Sequence, residues 1–314
     1  MRNVKREMEH KLTKLFLILS LALHFTLYTL HEVRASFEDI EVGPRATAMG
    51  GAFISQADDA SGLFYNPAGL VGLKRPEIFS AYEKMYWGLS DESSLGRQLV
   101  VLGAPLRIKG RDWGSIGIGW HALSATDLYT ERTLIMGYGY PIRKDLWLGV
   151  NLRQLGVTYK ETKYTKVNPV FDQGYGKTGF SLDAGAVYVR KSINVGLSVI
   201  GFNEPDMGIK YTNKIPREIN AGITFKRKIL DWNIGTTMVN GDFRFKTGLE
   251  TWILRRNIAL RGGVNVGSRE YRNVAVGLGY RDDWYQIDYS LNYPVSGISG
   301  VWGSHQVSLT FRWG

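Results

Sequence analysis

From Pro76 to the end of the chain, apolar and polar side chains alternate one by one over segments of about ten residues. In the last ten residues, His305 to Gly314, large apolar residues are separated by Gln, Ser, Thr and Arg. Segment 283–293 repeats the pattern, with Tyr, Ile and Leu against Gln, Asp, Ser and Asn. Strict alternation over this length predicts β-strands whose two faces lie in different environments.

The length and the two faces of these segments indicate strands that cross an outer membrane. Strands of soluble sandwiches usually have about five or six residues, whereas a tilted strand of about ten residues spans a bilayer. One face is aliphatic and aromatic, and the other is polar, charged or glycine. Aromatic residues also cluster at strand ends, which is typical of the interfacial girdles of membrane barrels: Tyr82, Tyr86, Trp87, Trp113, Trp120, Tyr138, Tyr140, Trp284, Tyr293 and Trp313.

The pattern predicts about fourteen strands, near 76–87, 97–108, 113–124, 131–142, 145–159, 177–189, 193–203, 216–228, 231–240, 243–254, 257–267, 271–281, 283–293 and 304–314. Every second connection is tight, while the connections between them are mostly longer, at 88–96, 125–130, 160–176, 204–215 and 294–303. Outer-membrane barrels have short periplasmic turns and longer outer loops. The sequence therefore predicts an all-β fold, a transmembrane antiparallel β-barrel over residues 76–314 in contact with outer-membrane lipid.

Residues 36–75 lack this alternation and predict a plug, or hatch, inside the barrel. The double glycine Gly50-Gly51 permits a backbone that residues with a Cβ rarely adopt, and Asn66-Pro67 fixes a turn. An ordinary surface loop is the alternative interpretation. The candidate plug residues are Gly43, Arg45, Gly50, Gly51, Asp58, Asp59, Asn66, Pro67, Ala68 and Gly69.

Charges inside a barrel must pair or contact water, because an isolated ion in an apolar site is very costly. We therefore expect Arg45 to pair with Asp58 or Asp59, and charges of the barrel wall are other candidate partners. Alternation places a second set of polar residues on the inward face. We expect this set to form a salt-bridged lumen that holds the plug, with His121 hydrogen-bonded within it; a selectivity path is the alternative. The set comprises His121, Arg153, Asp183, Arg261, Asp288 and Arg312.

The first 35 residues have the composition of a cleavable secretory signal peptide. A basic stretch over residues 1–14 precedes an apolar stretch from Leu15 to Leu30, and the small residue Ala35 follows. A membrane anchor helix is the alternative, but the apolar core is about sixteen residues and a span needs roughly twenty. We expect export to the outer membrane of a Gram-negative cell.

The remaining composition excludes several classes of function. The formal net charge is +10, but the basic residues are scattered and many lie in short turns, which argues against nucleic-acid binding. The chain has no cysteine, and His121 and His305 are the two histidines after residue 35. We therefore expect no metal site and no cofactor. No Ser, His and acid arrangement is apparent, so we expect no enzyme.

Two regions resemble a known family. The segments Gly43-Pro-Arg-Ala, Met49-Gly-Gly-Ala, Ala57-Asp-Asp-Ala-Ser and Tyr65-Asn-Pro-Ala-Gly-Leu resemble the N-terminal hatch of the PorV/PorQ outer-membrane proteins, within the FadL-like superfamily of long-chain fatty-acid transporters. Leu260-Arg-Gly-Gly-Val-Asn, Val276-Gly-Leu-Gly-Tyr, Ile287-Asp-Tyr and Gly303-Ser-His-Gln-Val-Ser-Leu resemble the end of that family.

The resemblance implies a fourteen-stranded plugged barrel and leaves two functions open. FadL-like members move hydrophobic molecules inward through the hatch and a lateral opening in the wall. PorV receives substrates of the type IX secretion system and passes them on at the cell surface. We therefore expect passage of hydrophobic or amphiphilic small molecules, with a docking barrel for secreted proteins or secretion machinery as the alternative.

Overall fold

The computed structural model describes residues 37, 41–89, 93–268, 271–296 and 300–314. The predicted signal peptide, residues 1–35, lies outside this range and stays a prediction. None of the helices in the part of the chain that the structure describes is long and apolar enough to cross a membrane.

The described chain forms a closed barrel of fourteen antiparallel strands. The strands are β1 Glu77–Met85, β2 Leu95–Ile108, β3 Arg111–Ala125, β4 Tyr129–Arg143, β5 Leu146–Tyr159, β6 Gly176–Val189, β7 Ile193–Ile200, β8 Glu218–Lys226, β9 Leu230–Val239, β10 Asp242–Ile253, β11 Ile258–Gly267, β12 Arg272–Arg281, β13 Tyr285–Pro294 and β14 Ser304–Arg312. Each strand pairs with its neighbours in sequence, and β1 pairs with β14 from Glu77↔Arg312 to Lys84↔His305. The predicted fold class and strand number are confirmed.

Alternation along each strand separates an outer apolar face from an inner face. On β5, Leu148, Val150 and Leu152 are 42%, 57% and 47% exposed, whereas Asn151 and Arg153, which alternate with them, are buried. Because water would not stabilise such a belt of exposed aliphatic residues, this face is suited to lipid.

The inner face is not uniformly polar, contrary to the sequence-based prediction. Phe79 on β1, Leu99 and Val101 on β2 and Ile135 on β4 point inward and are buried. They form one hydrophobic core with apolar plug residues. Burial against the plug, rather than contact with lumen water, explains why these inward positions are apolar.

The plug lies inside the barrel and contains three short helices. These are α1 (Pro44–Ala48) and the 3₁₀ helices Ala60–Phe64 and Pro67–Gly72. All residues from 41 to 70 are buried except Asp58, which is half-buried. Further 3₁₀ turns, Thr165–Val167, Pro169–Phe171 and Leu254–Arg256, lie in connections between strands.

The two longest connections between strands are 160–175 and 201–217. Both follow odd-numbered strands, as do the connections 86–94 and 295–303, so all four start from the same end of the barrel. The tight turns, the start of β1 and the end of β14 lie at the other end. The outer-membrane pattern assigns the end with the four longer connections to the cell exterior. β7 and β8 are shorter than predicted, because the chain leaves the wall after Ile200 and rejoins it at Glu218.

Candidate functional site in the plugged lumen

Glycines determine the path of the plug around α1. Gly43 precedes the helix with φ 85°, and Gly50 and Gly51 follow it with φ 63° and 75°, in the left-handed region that glycine favours. A Cβ on Gly50 would come within 2.7 Å of the carbonyl oxygen of Val264 on β11. Only glycine fits between this turn and the barrel wall.

Asn66 begins the last plug helix and attaches the plug to the wall. Its Oδ1 accepts a hydrogen bond from the backbone N–H of Ala68 at 3.1 Å. Its Nδ2 donates to the carbonyl oxygens of Ile54 in the plug at 3.1 Å, and of Ala186 on β6 and Leu197 on β7 at 3.2 Å each. The side chain is fully buried, so one amide serves as both helix cap and wall contact.

The residues after Asn66 make close backbone contacts with the wall and within the plug. The backbone of Pro67 and Ala68 lies directly against Gly149 on β5, and Gly69 lies against the backbone of Ala57 within the plug. Pro67 occupies the first helical position, where its missing N–H costs no hydrogen bond.

We expect Asn66→Ala to destabilise the folded barrel by about 1–3 kcal/mol, because it leaves buried backbone groups without partners. The thermal unfolding midpoint in detergent measures the effect. The matched control is Asn168→Ala, which removes an equivalent Asn-Pro cap on an exposed loop and should cost no more than about 1 kcal/mol. Equal shifts for the two variants would contradict the assignment of Asn66 as a wall contact.

Arg45 is the charged centre of the plug. Its Nη1 contacts Asp58 Oδ1 at 2.7 Å and Asp59 Oδ2 at 2.9 Å, so it pairs with both of the predicted carboxylates. Its Nε and Nη2 donate to the two oxygens of Glu250 on β10, each at 2.8 Å. Its guanidinium also lies over the ring of Phe53, 5.2 Å from the centroid. A bidentate arginine–carboxylate contact fixes both distance and orientation, and this one joins plug to wall.

Glu250 continues the charge network along the wall. Its Oε1 also accepts from Arg261 Nε on β11 at 2.8 Å, and its Oε2 accepts from Gln56 Nε2 of the plug at 2.9 Å. Arg261 Nη1 in turn donates to Asp288 Oδ1 on β13 at 2.7 Å. Glu250 is therefore the counter-ion of two buried arginines.

The network returns to the plug at the junction of the first and last strands. Gln286 on β13 donates to Asp288 Oδ2 at 2.7 Å and accepts from Arg312 Nη2 on β14 at 3.0 Å. Arg312 Nε donates to Glu77 Oε2 on β1 at 2.8 Å, and Glu77 Oε1 accepts from the backbone N–H of Ala60. We call this series of hydrogen-bonded side chains the polar circuit: Arg45, Glu250, Arg261, Asp288, Gln286, Arg312 and Glu77.

A second ion pair holds the opposite side of the plug. Arg153 Nε on β5 contacts Asp183 Oδ2 on β6 at 2.6 Å, and Asn151 Nδ2 donates to the same oxygen at 3.0 Å. Asn151 and Arg153 also donate to the carbonyl oxygens of Leu63 and Phe64, at 2.9 and 3.3 Å. The pair thus orients two donors towards carbonyl groups of a plug helix.

His121 differs from the expectation that it is hydrogen-bonded. It faces the lumen and is buried, but neither ring nitrogen has a hydrogen-bond partner among the described residues. Its ring lies edge-on to Phe64, with centroids 6.1 Å apart and an interplanar angle of 63°. The apolar side of the plug reaches β3 at this position and offers an aromatic edge instead of a polar group.

Several residues that complete these networks were not predicted from the sequence. Glu250 and Glu77 belong to the polar circuit, and Glu41 at the outer end of the plug accepts from Asn265 Nδ2 at 2.7 Å. Arg97 on β2 donates to the carbonyl oxygen of Glu41 at 3.2 Å. Alternation within β10 places Glu250 inward and could have identified it. No comparable pattern marks Glu41, which precedes the glycine-rich motif.

Cavities lie at both ends of the plug, and charged and amide side chains line them. Two cavities of about 390 Å³ each at the periplasmic end share Arg45, Asp58, Lys74 and Arg281. A cavity of about 240 Å³ at the outer end includes Glu41, among other polar residues. Among the described residues, no group of three or more His, Asp or Glu side chains has the arrangement of a metal site.

Solved structures of outer-membrane transporters have a similar fold. The Ralstonia pickettii toluene transporter TbuX aligns with a TM-score of 0.60 and 12% identity, over 87% of this chain and 98% of that chain. The Pseudomonas putida toluene transporter TodX aligns with a TM-score of 0.62 and 11% identity, over 87% and 97%. A Pseudomonas aeruginosa FadL homologue aligns with a TM-score of 0.58 and 11% identity, over 89% and 100%. At these identities the similarity establishes the fold.

The sequence itself matches a family of secretion proteins. The model of the type IX secretion system membrane protein PorP/SprF matches residues 122–311, more than half of the chain, from β3 to β14. No curated protein sequence matches significantly. The predicted resemblance to PorV/PorQ proteins is confirmed only in its coarser form. The chain has a FadL-like fold and matches a type IX secretion membrane protein family, but the matching model is PorP/SprF and not PorV/PorQ. This chain, an outer-membrane β-barrel, belongs to the PorP/SprF family of type IX secretion system membrane proteins.

Proposed function

We propose that this chain is a docking barrel for proteins secreted by the type IX system, with a plug that stays in place. Membership of the PorP/SprF family is the observation that carries the proposal. The burial of the plug, the ion pair between Arg45 and Glu250, and the hydrogen bonds from Asn151 and Arg153 to plug carbonyl groups support a static lumen. Because breaking a buried ion pair is strongly unfavourable, moving this plug would cost far more than thermal energy supplies.

The outer loops offer a structured surface for cargo. In loop 160–175, Phe171 stacks on Tyr175 at 5.6 Å and lies against Tyr159 at 5.2 Å. In loop 201–217, Asp206 Oδ1 accepts from the backbone N–H groups of Gly208 and Asn213 at 3.0 and 2.8 Å. These internal contacts give both loops a defined shape.

Exposed apolar side chains on these loops favour contact with another protein. Tyr164, Val167 and Tyr211 are 73%, 79% and 69% exposed. Large aromatic side chains on a shaped surface are typical anchors of protein interfaces. Loops 160–175 and 201–217 are therefore the proposed contact surface for a secreted protein.

Analysis of secreted proteins in a strain that lacks this chain tests the proposal. We expect at least one protein to disappear from the medium and cell surface and to accumulate in the periplasm. The wild-type gene should restore secretion, and a triple variant Tyr164→Ser, Val167→Ser, Tyr211→Ser should not. The matched control is Trp302→Ser, which changes a 75% exposed apolar residue on another outer loop and should restore secretion fully. An unchanged set of secreted proteins would refute the proposal.

Passage of a hydrophobic small molecule is the second candidate function, and one feature of the wall favours it. β6 pairs with β5 over residues 176–188 but with β7 only over 184–189. Beside the unpaired half of β6, Met207 of loop 201–217 lies against Gly179. Met207 also packs with Leu155 and Val157, which point into the lumen from β5. An apolar site thus lies on the lumen side of the wall, next to the part of β6 that is covered by a loop and not by a neighbouring strand.

The same deletion strain tests this second function. The solved relatives TbuX and TodX are toluene transporters, so labelled toluene and labelled palmitate are suitable probes. Transport is supported if uptake of either probe falls in the deletion strain and the wild-type gene restores it. The variant Met207→Trp, which would fill the apolar site, should not restore uptake. Uptake equal to that of the parent strain would leave docking as the sole function.

A further inference from the structure

A concentration of positive charge surrounds one cavity at the periplasmic mouth of the lumen. Its lining includes Lys74, where the plug leaves the lumen, and cations of three successive turns between β8 and β13. We call this set the basic cradle: Lys74, Lys226, Arg227, Lys228, Arg256 and Arg281. Three carboxylates also line the cavity, but Arg45 binds two of them, Asp58 and Glu250. The cradle therefore presents a net positive charge to the periplasm.

The turn between β10 and β11 is held in a strained conformation that contributes to the cradle. Leu254, Arg255 and Arg256 have φ values of 46°, 57° and 70°. Side chains with a Cβ rarely adopt this left-handed region, and three in succession are costly. Strain of this kind persists where the surrounding structure over-determines it, and it occurs preferentially at functional sites.

Hydrogen bonds tie the strained turn to both of its neighbours. Arg256 Nη2 donates to the carbonyl oxygen of Lys228 at 3.1 Å, and Asn257 Nδ2 donates to that of Arg281 at 2.8 Å. The guanidinium of Arg281 lies 3.9 Å from the centroid of the Trp252 ring. These contacts hold the three turns around one cavity and orient the side chains of Arg256 and Arg281, although the like charges of the cradle repel each other.

The position of the cavity determines what can reach it. Its wall includes Arg45 and Gln56 of the plug and the inward-facing Glu250, so it lies over the lumen rather than on the lipid-facing side of the barrel. Lys74, Arg227, Lys228 and Arg256 are exposed. A water-soluble anion from the periplasm therefore has direct access to the cradle.

We propose that the basic cradle binds an acidic segment of a periplasmic protein. The cavity, about 390 Å³, accommodates a few side chains, and its cations extend over three turns and the plug exit. This spread suits an extended chain that carries several carboxylates better than a single small anion. The identification of that protein as a secretion component rests on the proposed function, but the binding chemistry does not.

A labelled peptide of ten glutamates tests the cradle directly. We place the barrel in nanodiscs of phosphatidylcholine and measure fluorescence anisotropy of the peptide at low ionic strength. Wild type should bind it, binding should weaken as salt rises, and a ten-glutamine peptide should not bind. The variant Arg227→Gln, Lys228→Gln, Arg256→Gln should bind about tenfold or more weakly, since three exposed ion pairs of ordinary strength together amount to such a change.

The matched control removes the same charge at the opposite end of the barrel. Lys160→Gln, Lys163→Gln, Lys166→Gln should bind like wild type, and the heat-dependent gel shift of both variants verifies a closed barrel. Equal binding by wild type and the cradle variant, or equal loss in both variants, would overturn the proposal.

Native mass spectrometry of the barrel in detergent with phosphatidylglycerol tests whether a lipid headgroup binds the cradle instead. If wild type retains that lipid, the cradle variant does not, and the two bind the peptide equally, lipid headgroups occupy the cradle and the proposal is wrong. Unchanged secretion with specific peptide binding would refute the docking function while leaving this binding site intact.

Discussion

Replacing Glu250 with alanine is expected to release the plug from the barrel wall. The change leaves Arg45 and Arg261 buried without their shared counter-ion, and removal of one partner of a buried pair typically costs about 3–5 kcal/mol. The strand ladders that close the barrel do not include this side chain, so the barrel should persist while the lumen opens. Single-channel recording in planar bilayers should show conductance well above that of wild type, and trypsin should cut the chain near Arg45.

One intermediate variant and one control variant accompany Glu250→Ala. Glu250→Gln keeps the shape and the acceptor oxygen but removes the charge, so it should fall between wild type and alanine. As the control, Glu161→Ala removes a surface ion pair in which Glu161 is 53% and Lys166 is 60% exposed. It should change the free energy of unfolding by less than about 1 kcal/mol. A Glu250→Ala barrel with wild-type conductance and wild-type melting temperature would contradict the role of the polar circuit.

Gly149→Val is expected to displace the plug by steric overlap alone. A Cβ on Gly149 would overlap the backbone of Pro67 and Ala68, and backbone cannot rotate away as a flexible side chain can. Overpacking a filled interior costs about 1–3 kcal/mol and occasionally more. Hydrogen–deuterium exchange of residues 63–70 should accelerate strongly, because the displaced helix loses its protection.

Gly156 on the same strand provides the matched control. The nearest heavy atom to a Cβ there is the carbonyl oxygen of Arg132 at 4.0 Å, an ordinary contact. Gly156→Val should therefore leave exchange of the plug unchanged. If both valine variants exchanged alike, strand propensity rather than the contact between wall and plug would explain the effect.

The sequence predicted the barrel well because one physical constraint acts on every strand. In each strand, side chains alternate between the lipid-facing and the lumen-facing side of the wall. The number of strands and the inward position of Arg153, Asp183, Arg261 and Asp288 therefore follow from the alternation. The shortened β7 was not predicted, because the large apolar residue Phe202 follows the strand after it has ended at Ile200. Alternation reports the environment of a side chain, not whether a neighbouring strand is present.

The ion-pair partners were less predictable than the strands. Local sequence indicated that Arg45 needs a carboxylate, but Glu250 is 205 residues away, and which strands meet the plug depends on how it sits in the closed barrel. For His121 the inward position was predicted correctly, but the ring packs against Phe64 and has no hydrogen-bond partner among the described residues. The burial of Phe79, Leu99 and Ile135 likewise depends on which side of the plug faces β1 to β4.

The junction between β1 and β14 has a consequence for biogenesis. This ladder joins the two ends of the strand series, so its formation closes the barrel. Its inner surface is bonded to the plug from both strands, through Glu77 to Ala60 and through Gln306 to Thr47. We therefore expect the plug to enter the lumen before or as this seam closes, so that the barrel is sealed and filled together.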